Sequence, residues 1–251
     1  PIPLLNIIDD VGKLEVGMTV NLIDPNFQDG RILGQQLIGS IHKITQKEKA
    51  KITESVFGTT DESHPGVSMI SKMGNFLISG DLAINNHSYY SEDFPETFMT
   101  ASEIRSRFVQ NGFKRVVAFQ TRNPLHRAHI EMTLKSMEEL DAKLFLHPVV
   151  GMTKPGDVDH YTRVRCYQHV IEKYPKGSAM LALLPLAMRM GGPRETLLHA
   201  IIRKNYGCTH LIVGRDHAGP GNDSKGNPFY GPYDAQRLLT KHKKEVGIEI
   251  V

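Results

Sequence analysis

Two short segments of this chain gather side chains suited to holding an oxyanion: Gln120-Thr121-Arg122-Asn123-Pro124-Leu125-His126-Arg127-Ala128-His129, and Gly214-Arg215-Asp216-His217-Ala218-Gly219-Pro220-Gly221. In the first, Arg122 offers a planar guanidinium fork that matches an oxyanion. Pro124 suits the first position of a helix, where its missing N–H would have been unpaired anyway, so a helix is predicted over 125–140. Free N–H groups and the positive end of the helix dipole make such a start an anion site. His126 and His129, three residues apart, then share one face of the first turn, where both imidazoles can donate to the anion. In the second segment, three glycines allow close approach of backbone to ligand, and Arg215 can reach into the crevice from another strand. The competing reading of that segment is a tight structural turn with solvated charges.

Taken alone, two histidines at this spacing are weak, because surface and core histidines are common and the chain has twelve. A zinc site of the H-E-x-x-H kind is not supported, since Arg127 and Ala128 stand between the two, and no protein-bound metal is expected. Cys166 and Cys208 lack the paired spacing of a zinc ligand set and are too few for a disulfide framework. Both are expected to be ordinary buried thiols. With 30 basic and 27 acidic side chains the net charge is +3, which argues against a nucleic-acid partner and leaves room for a local anion site. No apolar run approaches the ~18 residues of a membrane span, and no signal peptide is visible ahead of Pro1, so a cytoplasmic protein without membrane contact is expected.

The elements that must position these segments change character near residue 100. Up to about Tyr90, short apolar runs broken by Asp-Pro and Asp-Gly predict a β-rich region with one helix, 46–57. A polar connection at 91–100 leads to a second region, so the domains are read as 1–100 and 101–251. There, helices are predicted at 101–110, 125–140, 161–173 and 193–205, and strands at 114–119, 142–150, 179–184 and 209–213. Such alternation implies a parallel sheet covered by helices, an α/β fold. Ligands of open parallel sheets bind beyond the carboxyl ends of the strands, and both oxyanion segments directly follow a predicted strand.

With these segments the chain resembles the ATP sulfurylase (sulfate adenylyltransferase) family. The loop from Lys154 to Arg163 and the segment Met188-Arg189-Met190-Gly191-Gly192-Pro193-Arg194-Glu195 carry the resemblance as well. It implies a PUA-like N-terminal domain before a nucleotidyltransferase domain of the HUP, class I synthetase-like fold, in which His126 to His129 stand for the family's nucleotide signature. It also implies transfer of AMP from ATP to sulfate, giving adenosine 5'-phosphosulfate and pyrophosphate. Mg²⁺ would arrive with ATP, and the protein would be a homo-oligomer.

By the same resemblance, Thr121, Arg122, Asn123, His126 and His129 are the expected catalytic residues. Gln120, Thr121, Arg122, Asn123, Leu125, His126, His129, Gly214, Arg215, Asp216 and His217 are expected to bind ATP. Gln120, Arg122, Arg215 and Ala218 are expected to bind sulfate, Ala218 through its backbone N–H. The loop with Lys154, Asp157, Asp159 and Arg163 reads equally as a lid over the nucleotide or a solvated surface loop. Arg189 and Arg194 either line the site or only begin a helix. Family chains extend beyond both ends, so the chain is expected to be incomplete at each. Two rival readings stand beside this one: a nucleotidyltransferase with a phosphorylated acceptor, and a catalytically silent nucleotide- or anion-binding fragment.

Overall fold

A computed structural model of the chain describes residues 1–24, 30–86, 90–151 and 156–251. It forms two compact units, Pro3–Pro95 and Glu96–Val251, the latter including Pro1–Ile2.

The first unit is built on an antiparallel sheet of β1 (Ile7–Ile8), β2 (Thr19–Ile23), β3 (Ile32–Lys43) and β4 (Phe76–Ile84), in the order β1-β4-β3-β2. Helix α1 (Gln46–Phe57) starts at a capping box in which Thr45 and Glu48 satisfy each other's backbone N–H, and ends at Gly58 in the left-handed region. Its bounds are those the sequence predicts. Two further helices, α2 (Pro65–Lys72) and α3 (Tyr90–Asp93), correct the expectation of a single one. The first places Pro65 in its opening turn, where His64 Nδ1 accepts the Gly66 N–H. At two turns, with only Val67 and Ile70 spaced to show a buried face, it carries too little periodicity to be read from sequence.

The second unit runs α4 (Ala101–Gln110), β5 (Val116–Phe119), α5 (Arg127–Leu140), β6 (Lys143–Leu146), α6 (His160–Ile171), β7 (Ala179–Leu181), α7 (Gly192–Asn205), β8 (His210–Leu211), α8 (Asp234–Val246) and β9 (Glu249–Ile250). All five strands are parallel, in the order β7-β6-β5-β8-β9. Strand β5, Val-Val-Ala-Phe, is buried along its length, as expected of a parallel strand covered on both faces. Val116, Ala118, Phe145 and Leu211 pack with Ile104, Phe108, Leu197, Ala200 and Leu239 in one core. The alternation read from the sequence therefore yields the α/β sheet it implies.

The strand order reverses between β5 and β8, the first lying inside the β5-β6-β7 half and the second opening the β8-β9 half. Loops leaving the carboxyl ends of two such strands diverge and open a crevice between them. Both oxyanion segments leave from there.

Several local expectations are corrected. Helix α5 begins at Arg127 with His126 as its N-cap, so Pro124 and Leu125 lie in the loop before it. The strands are shorter than predicted because hydrogen bonding passes to the loops: Val149 N–H donates to Thr121 O at 2.9 Å beyond the end of β6. Strand β9 completes the sheet beside β8, preceded by helix α8; both lie beyond the last strand that the sequence predicts. Cys208 is buried, but Cys166 is half-buried, since the inward stripe of α6 is Arg163, Val164 and Tyr167. Among the described residues no helix is long and apolar enough to cross a membrane.

Candidate functional site

The loop after β5 is held by side chains from the neighbouring helix. Arg163, nearly fully buried on α6, donates from Nη1 to the carbonyls of Arg122 at 3.0 Å and Val149 at 2.8 Å. Tyr167, also on α6, donates its hydroxyl to Asn123 O at 3.0 Å, and burial pushes its phenol up to about 12, so it stays a donor. Thr121 Oγ1 donates to Asn123 O and accepts the Asn123 N–H, at 2.9 and 3.1 Å. Thr121, Arg122 and Asn123 thus form a tied turn whose three carbonyls are taken up behind it.

Arg163 is therefore an internal brace, which removes it from the lid considered above. Lys154 lies outside the described residues. Asp157 meets Arg122: Nη1 is 2.5 Å from both carboxylate oxygens, and the two side chains are 18% and 9% exposed.

His126 and His129 do come together, although His126 caps the helix rather than riding on it. Their rings are 3.9 Å apart, with Phe119 5.6 Å from His129 on its other side. Burial, and then the neighbouring His126, hold the His129 imidazole below its usual value, so it is neutral near pH 7. Its Nδ1 faces the His126 N–H at 3.5 Å, a long contact that favours the tautomer with the proton on Nε2. A neutral donor at the head of a helix results.

The loop after β8 is strained. Asp216 and Ala218 have φ of +53° and +56°, values that residues with a Cβ adopt at a cost of about 1–2 kcal/mol each. Asp216 N–H is tied to Pro232 O at 3.0 Å, and Gly219 N–H to Asp216 O at 2.9 Å. Gly192, at φ +47°, donates its N–H to Ala218 O at 3.1 Å. The Ala218 N–H has no partner among the described residues. Backbone strain that leaves an N–H pointing free is a common design of anion sites. Arg215 is less committed than the sequence suggests: its side chain is 71% exposed, with Nε 3.5 Å from the Asp216 carboxylate.

The two loops line one cavity of about 210 Å³. Gln120, Thr121, Arg122, Asn123 and His129 face it from one side, and Gly214, Arg215, Asp216, His217 and Ala218 from the other. A Cβ on Gly214 would meet nothing within 4 Å, which leaves the approach at that strand end open. Leu125 and His126 are not in its lining. His210 sits at the start of β8, away from the cavity, with Thr209 Oγ1 2.7 Å from its Nδ1. Among the described residues no group of three or more His, Cys, Asp or Glu is placed to hold a metal ion.

Sequence reasoning assigned no part to several residues that shape this site. Phe119, Met188 and Ile212 supply its apolar wall. Beneath it, α7 carries Glu195, His199 and Arg203 at successive turns, all with no exposed surface. Three ionisable residues at a spacing of four, within a helix otherwise rich in Leu, Ile and Ala, are the signal that points to such a buried polar stripe. Arg189 N–H and Gly191 N–H both donate to the Glu195 carboxylate at 2.8 Å, so the segment before α7 is anchored to the helix.

Comparison with known proteins fits this geometry. A PUA-like domain model matches residues 1–87, and an ATP-sulfurylase model matches residues 95–251. A sulfate adenylyltransferase from Mycosarcoma maydis is 51% identical over 241 residues, covering 95% of this chain and 41% of that protein. One from Schizosaccharomyces pombe is 49% identical over 258 residues, covering 100% of this chain and 51% of its own length. The chain thus spans about half the length of the curated relatives it matches. A solved structure described as a hexameric APS kinase from Thiobacillus denitrificans superposes with a TM-score of 0.68 over 99% of this chain and 40% of its own, at 23% identity, a likeness of fold. With a family match across the whole parallel-sheet unit and half of all residues shared with these relatives, the chain belongs to the ATP-sulfurylase family.

Proposed function

We propose that this chain carries the catalytic site of a sulfate adenylyltransferase, which transfers AMP from ATP to sulfate and yields adenosine 5'-phosphosulfate and pyrophosphate. The observation that supports it most is the N–H of Ala218, which has no partner among the described residues and is held at φ +56° in a cavity that Arg122 and Gln120 also line. Sulfate needs charge and directed N–H donors, and these three supply both; Arg215, at the exposed rim, adds a long-range attraction. The tied turn of Thr121, Arg122 and Asn123, the head of α5 with His126 and His129, and the strained turn from Gly214 to His217 would receive ATP. Leu125, in the loop before α5, would pack against the nucleotide from outside the cavity lining.

Sulfate is a dianion at neutral pH, so one of its oxygens is a ready nucleophile and no general base is required. That oxygen forms a bond to the α-phosphorus of ATP as the bond to the pyrophosphate oxygen breaks in line, and pyrophosphate carries away the electron pair. Mg²⁺ enters with ATP as part of the substrate and offsets the charge of the β- and γ-phosphates. The protein's share is to bring two anions together and to place donors where charge grows on the α-phosphoryl oxygens. His129, neutral and with its Nδ1 turned to the His126 N–H, can serve that from Nε2 without a proton change. This reading extends to a homo-oligomer acting in the cytoplasm, with small-molecule partners only.

The test is exchange of labelled pyrophosphate into ATP by the full-length protein. Exchange that requires sulfate supports the reading. Exchange that requires nicotinamide mononucleotide or phosphopantetheine instead, or ATP binding without any exchange, overturns it.

A further inference from the structure

Beneath the cavity one side chain touches both oxyanion loops. His199, with no exposed surface, has its Nδ1 3.0 Å from His217 Nε2 and its Nε2 3.4 Å from the terminal amide of Gln120. One contact belongs to the loop after β8 and the other to the loop after β5. One turn earlier on α7, the Glu195 carboxylate lies 3.7 Å from His199 Nε2. One turn later stands Arg203, whose Nη2 donates to His147 O at 2.9 Å.

The protonation pattern follows from charge. Burial pushes the Glu195 carboxyl up, but His199 and the N–H groups of Arg189 and Gly191 outweigh it and hold the group ionised. Burial lowers His199, Glu195 opposes that, and Arg203 adds to it, so the imidazole is neutral and carries a single proton. A lone pair on Nε2 would face the carboxylate; a proton there faces it favourably. Nδ1 is then the acceptor, and His217 donates to it from Nε2. A half-turn of the Gln120 amide about its last bond brings its oxygen to the His199 Nε2–H. This gives a partner to an amide oxygen that is otherwise buried without one, and leaves the NH₂ group as the end turned away from His199.

We propose that Glu195 and His199 are positioning residues of this site: the carboxylate sets the tautomer of His199, and that imidazole sets the orientation of Gln120 toward sulfate and of His217 toward ATP. The inference rests on the roles given to Gln120 and His217 above, and it assigns the two arms of one buried ring to two substrates. Neither Glu195 nor His199 touches substrate. Their effect passes through the loops they hold, as with the outer partners that orient first-contact ligands in other polar sites.

Two amide substitutions of His199 separate the arms. In His199→Asn the short side chain keeps a polar atom near the Nδ1 position, facing His217, and loses the Nε2 arm. His199→Gln keeps an N–H near the Nε2 position, facing Gln120, and loses the Nδ1 arm. In steady-state assays of the full-length protein, H199N is expected to raise KM for sulfate about tenfold with KM for ATP near wild type, and H199Q the reverse, as expected for loss of one buried hydrogen bond. Glu195→Gln, which frees the tautomer, is expected to raise both. A merely structural histidine would instead lower the melting temperature in both variants and move the two KM values together, and that outcome overturns the proposal. Gln120→Ala and His217→Ala serve as controls: if they do not raise KM for sulfate and for ATP respectively, the assigned substrate roles fail. If they do, and the His199 variants show no split, only the positioning role fails.

Discussion

Arg122 Nη1 lies 2.5 Å from each carboxylate oxygen of Asp157, so the guanidinium proposed to receive sulfate is already tethered to an anion of the protein. The pair is largely buried, and removal of one partner leaves the other charge uncompensated, which typically costs about 3–5 kcal/mol in a fully buried pair and less here given the residual exposure. Arg122→Ala therefore mixes two effects, lost catalysis and lost stability.

The double variant Arg122→Ala/Asp157→Asn separates them. Arg122→Ala alone should lower both urea stability and turnover, the latter by at least about a hundredfold, as for loss of a preorganised donor. Adding Asp157→Asn should restore most of the stability and none of the turnover. Recovery of turnover in the double variant would show that Arg122 matters only as a partner for Asp157.

The direction of the Ala218 N–H depends on a left-handed residue that is not glycine, braced by the Gly192 N–H on Ala218 O at 3.1 Å. Gly192 itself admits no side chain: a Cβ there would lie 2.4 Å from the Tyr230 ring, with φ at +47°. Ala218→Gly should raise stability by up to about 1 kcal/mol through relief of strain, and raise KM for sulfate severalfold as the N–H loses its fixed direction. Thermal melts and sulfate titrations of the same preparation check both. A tighter KM for sulfate would mean that the strain does not aim this donor.

Much of this architecture is legible in the sequence because its signals are local. The alternation of buried strands such as Val116 to Phe119 with helices such as Ala101–Gln110 requires no long-range knowledge, and a polar segment directly after each strand marks the crevice. What the sequence hides is set by tertiary contacts. Pro124 looks like a helix start, but Arg163 and Tyr167 pull the carbonyls of Arg122 and Asn123 toward α6, and the helix begins only at Arg127. Arg163 resembles a lid cation because its charge is visible and its burial is not. Likewise Glu195, His199 and Arg203 are spaced four apart in plain view, yet only the packing of α7 beneath the loops shows that they face inward.

The same buried histidines make stability depend on pH. An imidazole in the unfolded chain takes up its proton near its ordinary value of 6.5. Burial holds His147 and His217 well below that value and His199 below it, reinforced for all three by Arg203. His217 belongs with them because its ring turns inward onto His199, although the residue as a whole is half-exposed. As pH falls below 6.5 the unfolded state therefore binds more protons than the folded one, and stability, fully present above 6.5, is progressively lost. Urea unfolding at pH 7.5, 6.5 and 5.5 should show the smaller change over the first interval and the larger drop over the second, with a net uptake of protons on unfolding. His147→Phe, which keeps a ring between Phe145 and Tyr206, should lessen that slope without altering kcat. An unchanged slope in this variant would mean that His147 is protonated in the folded protein.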